Sequence, residues 1–594
     1  MAPGATRTGG PRAAAEEKTL PGVASETYSG RIALGLVSLL GALLGAAPAA
    51  GQAIDRPAQE RPPLPGFEEP QEKLPRLLPP LAPPEPAAPG QAGGPRFFVR
   101  GYQITGSSVF TAEDFGPVVD PYLGREISSE ELVALRNAVT RLYLDRGYLN
   151  SGAVIPDQDL ADGVVELRIV EGSLSRIELS GEEHFRAGRL RERVALGAST
   201  PLDVQALQES LEILQQDPRI RRVNARLLPG KRPGEAVLQV SVEEEPPYRL
   251  DLEASNFAPP SFGSYQGQLV AAHENLLGFG DTLGIRFRGA EGLLRLDGQV
   301  EFPVNARGTQ LVARGEWSRS EIVEDPFSVL EIETDYVAGR IGIEHPVYRS
   351  LRTDLTLGLL ADWRRSDTVT CAFEDVLGFC DPLSAPSSGA VKGRTTVSVL
   401  RFTQNLLRRD RSQVIAVRSM FSFGLPILGA RSGGVEPDGQ FFAWLGQFQW
   451  ARRYGSWGVQ TIFRTDVQLS SDTLPSLERF PIGGHLSVRG YRENQLVRDQ
   501  GVVVSLEVRV PVWKLEGGRP IVELAPFFDF GYSKARGLAT PPPKTLPSTG
   551  IGLRLTPLRN LSAQLYWGYQ IRDVRSSGDL QDNGLQFRVS WDVF

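Results

Sequence analysis

The chemistry legible in this 594-residue chain is ion pairing rather than catalysis. The stretch HLSVRGYREN (485–494) sets Arg489 and Arg492 around Gly490, with Val488 and Tyr491 as immediate neighbours. It follows Gly483-Gly484 and precedes a clear strand pattern. A basic, aromatic, glycine-bearing tip in that position is either a solvated turn or a working part. Nothing else in the chain resembles a reactive centre. The four histidines (His184, His273, His345, His485) are scattered, Cys371 and Cys380 lack a CxxC spacing, and there is no nucleophile elbow and no phosphate loop. No metal, no cofactor and no enzymatic activity are therefore expected.

The elements that must position this tip begin after two leading segments. Ile32–Ala47 is an apolar run of about 16 residues, short of the roughly 20 that a spanning helix needs. It is followed by small residues with an A-x-A-like cut site, which makes residues 1–53 a secretory signal peptide. Its lead is unusual, carrying Glu16, Glu17 and Glu26 where an n-region is short and basic, and it points to a start upstream of the true one. In an exported chain the close pair Cys371 and Cys380 reads as a disulfide closing a local loop. The formal net charge of −6 argues against nucleic acid as a partner. Residues 54–96 are proline-rich and read as a spacer.

A repeat of β-α-α-β-β units follows, residues 97–173 and 174–247. The first opens with the strand FFVRGYQITG (97–106). A helix follows, with a capping box from Ser128 to Glu131 and an apolar stripe of Leu132, Leu135, Val139 and Leu142. The second helix pattern, DVQALQESLEILQQD, carries Val204, Leu207, Leu211 and Leu214. Each unit is expected to be a small sheet covered on one face by helices.

From residue 248 to 594 period-2 alternation replaces the helical pattern. Leu294, Leu296, Val300 and Phe302 alternate with Arg295, Asp297, Gln299 and Glu301; the C-terminus sets Leu585, Phe587, Val589, Trp591 and Val593 against Gln586, Arg588, Ser590 and Asp592. Charges at this density suit a water-filled lumen and not a dry core. About 16 candidate strands, joined by alternately short and long connections, predict a transmembrane antiparallel β-barrel in outer-membrane lipid. In IVELAPFFDFGY, Val522, Leu524, Phe528, Phe530 and Tyr532 share one face and Glu523, Phe527, Asp529 and Gly531 the other. The apolar face meets lipid, so Asp529 points into the lumen.

These stretches resemble a known family. FFVRGYQITGSSVF and RGYLNSGAVIPDQDLADGVVELRIVEG look like the first POTRA domain of the two-partner secretion transporters, the haemolysin and filamentous-haemagglutinin secretors of the Omp85 superfamily. The second unit resembles their second POTRA domain. SVRGY (487–491) and the F-x-D-x-G pattern Phe527–Gly531 resemble the two motifs of their 16-stranded pore. The resemblance implies two periplasmic α+β POTRA domains ahead of the barrel. It also implies a sixth outer loop, near 470–498, that folds back into the lumen. Arg489 would then contact Asp529 as a loop latch, Gly490 would allow close backbone approach, and the disulfide would brace the fourth outer loop. Family members often carry an N-terminal plug helix; here the corresponding segment is proline-rich, and only EEPQEKLPRLL suggests a helical turn. The outward parity at the C-terminus runs through Val593, so Phe594 falls off register and a bend is expected there.

The implied function is export of an unfolded exoprotein from the periplasm. POTRA domains would recognise it, the barrel would pass it without ATP, and the SVRGY loop would gate it. The barrel-assembly machinery is expected to insert the protein itself. Two readings of other classes stand beside this one. An assembly factor for outer-membrane proteins is disfavoured by two repeats rather than five, and a passive porin by the presence of paired periplasmic units.

Overall fold

The computed structural model describes residues 66–67, 96–372, 379–383, 393–430, 437–537, 539–574 and 578–594. The signal peptide and all but Gly66 and Phe67 of the linker up to residue 95 lie outside them, including EEPQEKLPRLL.

The first unit runs β1 (Arg96–Phe98), β2 (Gly101–Thr105), α1 (Ala112–Val119), β3 (Glu126–Ser128), α2 (Ser129–Asp145), β4 (Gly152–Val154) and β5 (Val164–Val170). The strand expected over 97–106 is broken in two. Val99 donates to the Arg125 carbonyl and Arg100 to that of Gly163, so the chain changes partner there. β1 pairs with β3, while β2 pairs parallel with β5 in a β2-β5-β4 sheet. The Ser128 capping box closes in both directions, at 3.3 and 2.8 Å. Leu132, Leu135 and Val139 pack on Val165, Leu167 and Ile169, but the last turn buries Tyr143 and leaves Leu142 partly buried. From Val139 the step of four residues to Tyr143 stays on the buried stripe.

The second unit repeats the order: β6 (Ser173–Ser180), α3 (Ala187–Ala195), α4 (Val204–Gln215), β7 (Ile220–Pro229) and β8 (Glu235–Glu244). Its sheet is β6-β8-β7, with β6 parallel to β8. Asp203 caps α4 through the N–H groups of Gln205 and Ala206. Leu207, Leu211 and Leu214 of α4 pack on Val223, Leu238 and Val240.

Sixteen long antiparallel strands then close a barrel. They are β9 (Tyr248–Ser255), β10 (Gln266–Glu274), β11 (Thr282–Ala290), β12 (Leu293–Pro303), β13 (Gln310–Glu321), β14 (Ile332–Arg349), β15 (Thr353–Thr370), β17 (Arg394–Arg409), β18 (Gln413–Leu425), β19 (Phe442–Tyr454), β20 (Val459–Ser470), β23 (Gln500–Lys514), β24 (Pro520–Lys534), β25 (Thr545–Leu555), β26 (Leu561–Gln570) and β27 (Leu585–Asp592). A two-residue β16 (Asp381–Pro382) lies in the fourth outer loop, and β21 (Phe480–Ile482) and β22 (Leu496–Arg498) form a hairpin within the sixth. β27 pairs with β9, so no strand edge is left open to hydrocarbon. The alternation decides the faces: Leu294, Leu296, Trp317 and Ile341 are exposed outward, whereas the inward Arg295 is buried among Asp297 and Glu316.

The last residues bend as expected. Val593 donates to the Leu250 carbonyl at 2.8 Å, and Leu250 donates to the Phe594 carbonyl at 3.1 Å. Two residues thus face one, a β-bulge, and the terminal ring is 66% exposed.

The second unit sits on the turns at the end of the barrel where the chain enters. Arg186 bonds the carbonyls of Leu277 and Gly278, Arg189 that of Asn305, Arg219 that of Gly280, and Gln216 that of Leu351. At the other end Cys371 and Cys380 are bonded to each other across the fourth outer loop.

Candidate functional site in the barrel lumen

Residues 471–499 connect β20 to β23 at the outer end, yet their middle lies inside the barrel. The β21–β22 hairpin buries Phe480, Ile482 and Leu496 with Val488 and Tyr491 against the wall residues Met420, Leu445, Val503 and Leu546. An apolar knot in a polar lumen explains why the loop seats there: burying these side chains is worth roughly 1.5–3 kcal/mol each against exposure.

Arg489 is at the tip, 3% exposed, and Asp529 on β24 is 0% exposed. The Arg489 Nε donates to Asp529 Oδ2 at 2.8 Å, Nη2 to Oδ1 at 2.9 Å, and the backbone N–H to Oδ2 at 3.0 Å. The same guanidinium reaches Glu507 through Nη1 and Ser505 Oγ at 3.2 Å. It lies 3.8 Å from the Phe527 ring centroid and 5.0 Å from that of Tyr566. Glu507 is in turn bonded by Arg509 at 2.6 Å. Two guanidiniums and two carboxylates therefore balance, which is the condition under which buried charges are tolerated.

The glycines of the two motifs make the approach possible. Gly490 has φ +89°, and a Cβ on it would stand 2.8 Å from the Gly568 carbonyl oxygen of β26. A Cβ on Gly531 would meet Ile482 at 2.4 Å and Val488 at 2.9 Å. Tyr491 places its hydroxyl between the carbonyls of Pro547 and Arg572, at 2.8 and 2.9 Å. Gln570 donates to the Gly490 carbonyl at 2.7 Å. Arg492, the second cation of the stretch, bonds Asp582 and Glu324 of other outer loops.

Sequence reasoning missed two parts of this site. In VVVSLEVRVPV (502–512) alternation puts Ser505, Glu507 and Arg509 on one face, and the register that sets Ser505 opposite Asp529 brings Glu507 under Arg489. The second part lies at the start of the loop, where Glu478 accepts from Arg401 at 2.8 and 3.0 Å and from Arg364 at 3.0 Å. Asp362 holds the same two arginines and Arg340 from the wall. The loop thus offers an anion to β15 and β17 and a cation to β23 and β24. Inward parity alone marks Asp362, Arg364 and Arg401 as lumenal, but nothing local connects them to Glu478.

Comparison with known proteins agrees with this architecture. Residues 97–172 match the family model "POTRA domain, ShlB-type", and residues 391–555 match "Haemolysin secretion/activation protein ShlB/FhaC/HecB". The outer membrane transporter CdiB of Escherichia coli O6:K15:H31 is 26% identical over 448 residues, 73% of this chain and 72% of that protein. The hemolysin transporter protein HpmB of Proteus mirabilis is 22% identical over 426 residues, 68% and 70% of the two chains. The solved structure of CdiB from Escherichia coli shares the fold, with a TM-score of 0.62 at 21% identity over 85% of this chain and 92% of that one. The chain thus carries a ShlB-type POTRA domain and a ShlB/FhaC/HecB-type domain on an outer-membrane β-barrel, and it is homologous to the transporters of two-partner secretion.

Proposed function

We propose that the protein exports an unfolded partner polypeptide across the outer membrane, with the SVRGY loop as its gate. The observation that carries this reading is the buried Arg489–Asp529 pair, which ties the tip of the inward-folded loop to one position on the wall. A buried ion pair contributes little net stability, but it registers a movable element well. The two units at residues 97–173 and 174–247 act as POTRA domains that receive the client. β6 and β7 are outer strands of the second sheet and offer backbone groups to an extended segment, a mode that makes few sequence demands. With no phosphate loop in the chain, the driving force is folding of the client outside the cell. The protein's own insertion falls to the barrel-assembly machinery.

The test is secretion and pore conductance in Arg489→Ala and Asp529→Ala. Both are expected to alter conductance and to lose export; wild-type behaviour in both sinks the gate. Depletion of the protein separates client classes: loss of one large secreted protein is expected, whereas general loss of barrel proteins would favour an assembly factor.

A further inference from the structure

Between the second αβ unit and the barrel mouth lies a cavity of about 720 Å³ whose charge is one-sided. Nine arginines line it against three carboxylates, Asp217, Glu344 and Asp354. Two of those carboxylates are already engaged, Asp217 by Arg193 and Arg219 and Asp354 by Arg349. Deeper in, Arg314 and Arg340 stand opposite each other on the paired strands β13 and β14, Arg340 held by Asp362 and Arg314 at 3.5 Å from Glu301. On β18 the Arg418 Nε–H is buried without a hydrogen-bond partner. Excess like charge lining a concave cleft focuses the field and draws in anions.

We infer that this vestibule binds the acidic side chains of an extended polypeptide, the client on the export reading above, on which the inference rests. The spacing fits that occupant. Alternate side chains of an extended chain share one side, so acidic side chains two residues apart face the same wall of arginines. Each guanidinium presents a planar fork that can hold a carboxylate through two bonds. The cavity adjoins β14–β15 turn residues Ser350 and Leu351 and the Gln216 contact, so it opens where the second unit meets the pore.

The experiment uses the purified full-length protein in detergent and fluorescein-labelled deca-glutamate, read by anisotropy. Wild type is expected to bind the peptide, with affinity falling as salt rises, and not to bind deca-lysine. The double variant Arg314→Ser/Arg418→Ser is expected to bind about tenfold more weakly, and Arg319→Ser, at the far end of β13, as wild type. Equal binding of deca-lysine, or undiminished binding by a double variant that keeps the heat-modifiable mobility of a folded barrel, overturns the assignment. Should the double variant not fold, the single variant Arg418→Gln, which removes the charge alone, is expected to weaken deca-glutamate binding about threefold, and undiminished binding by it overturns the assignment. Peptide binding is read without export, so its failure overturns the vestibule alone; failure of the export reading would show in the secretion assay.

Discussion

Arg489 holds Asp529 with three donors, two from the guanidinium fork at 2.8 and 2.9 Å and one from its own backbone at 3.0 Å. The pair ties residue 489 of a loop to the wall strand β24, and the backbone bond makes the contact depend on the loop's path as well as on its side chain. Removing the acid leaves a buried cation with Glu507 as its remaining carboxylate partner and Ser505 Oγ beside it. Asp529→Ala should therefore release the tip at a local cost of about 3–5 kcal/mol. Thiol labelling of Ser487→Cys should rise at least tenfold in that background; unchanged labelling would show that the apolar knot alone fixes the loop.

Gly490 and Gly568 pack backbone against backbone, and each excludes a methyl group from the other. Gly490→Ala adds the cost of a positive φ, about 1 kcal/mol, to a contact of 2.8 Å with a carbonyl. Gly568→Ala keeps its own backbone but meets the Gly490 Cα at 2.6 Å. Both are expected to raise Ser487→Cys labelling while the barrel stays folded, as read by heat-modifiable mobility. Gly517→Ala, in the β23–β24 turn, has open space around its Cβ and should leave labelling unchanged.

Glu478 is a second fastening of opposite sign. Glu478→Gln keeps the shape but removes the charge shared by Arg364 and Arg401, which retain Asp362. A loss of about 1–3 kcal/mol in loop closure is expected. The two fastenings share no partner, so the double variant Glu478→Gln/Asp529→Asn should be additive within about 0.5 kcal/mol. Strong coupling would mean that the loop moves as one rigid piece.

In the second unit, burial raises the Asp217 carboxyl, and the guanidiniums of Arg193 and Arg219 more than reverse this, holding it at about 2. A carboxyl held below its unfolded value contributes stability above that value and loses it as pH falls through the folded one. The contribution, about 2 kcal/mol, is complete above pH ~4 and disappears toward pH ~2. Asp217→Asn should loosen α3 against β7 at neutral pH, measured as faster amide exchange in both. The variant's exchange should lose the wild-type rise between pH ~4 and ~2, after correction for intrinsic rates.

Much of this was legible in the chain. Alternation with period two sets lipid-facing and lumen-facing residues by parity alone, because successive strand side chains must point to opposite faces. Asp529, Ser505 and Glu507 are therefore readable as types and faces. The helix stripes of the two units and the Ser128 capping box follow from local periodicity in the same way. The strand over 97–106 splits because two remote carbonyls, those of Arg125 and Gly163, each take one of its amides, whereas Tyr143 replaces Leu142 on the buried stripe by a local step of four residues from Val139.

By itself, then, the sequence determined element types, faces and the two motifs, since these depend on neighbours one to four residues away. Tertiary structure decided which charges meet. The closure of β27 on β9 and the register of β23 on β24 placed Ser505 opposite Asp529, while the inward path of residues 471–499 brought Glu478 to Arg401 and Arg489 to Glu507. Parity states that a side chain faces the lumen; only barrel closure and loop path fix which other side chain it faces there.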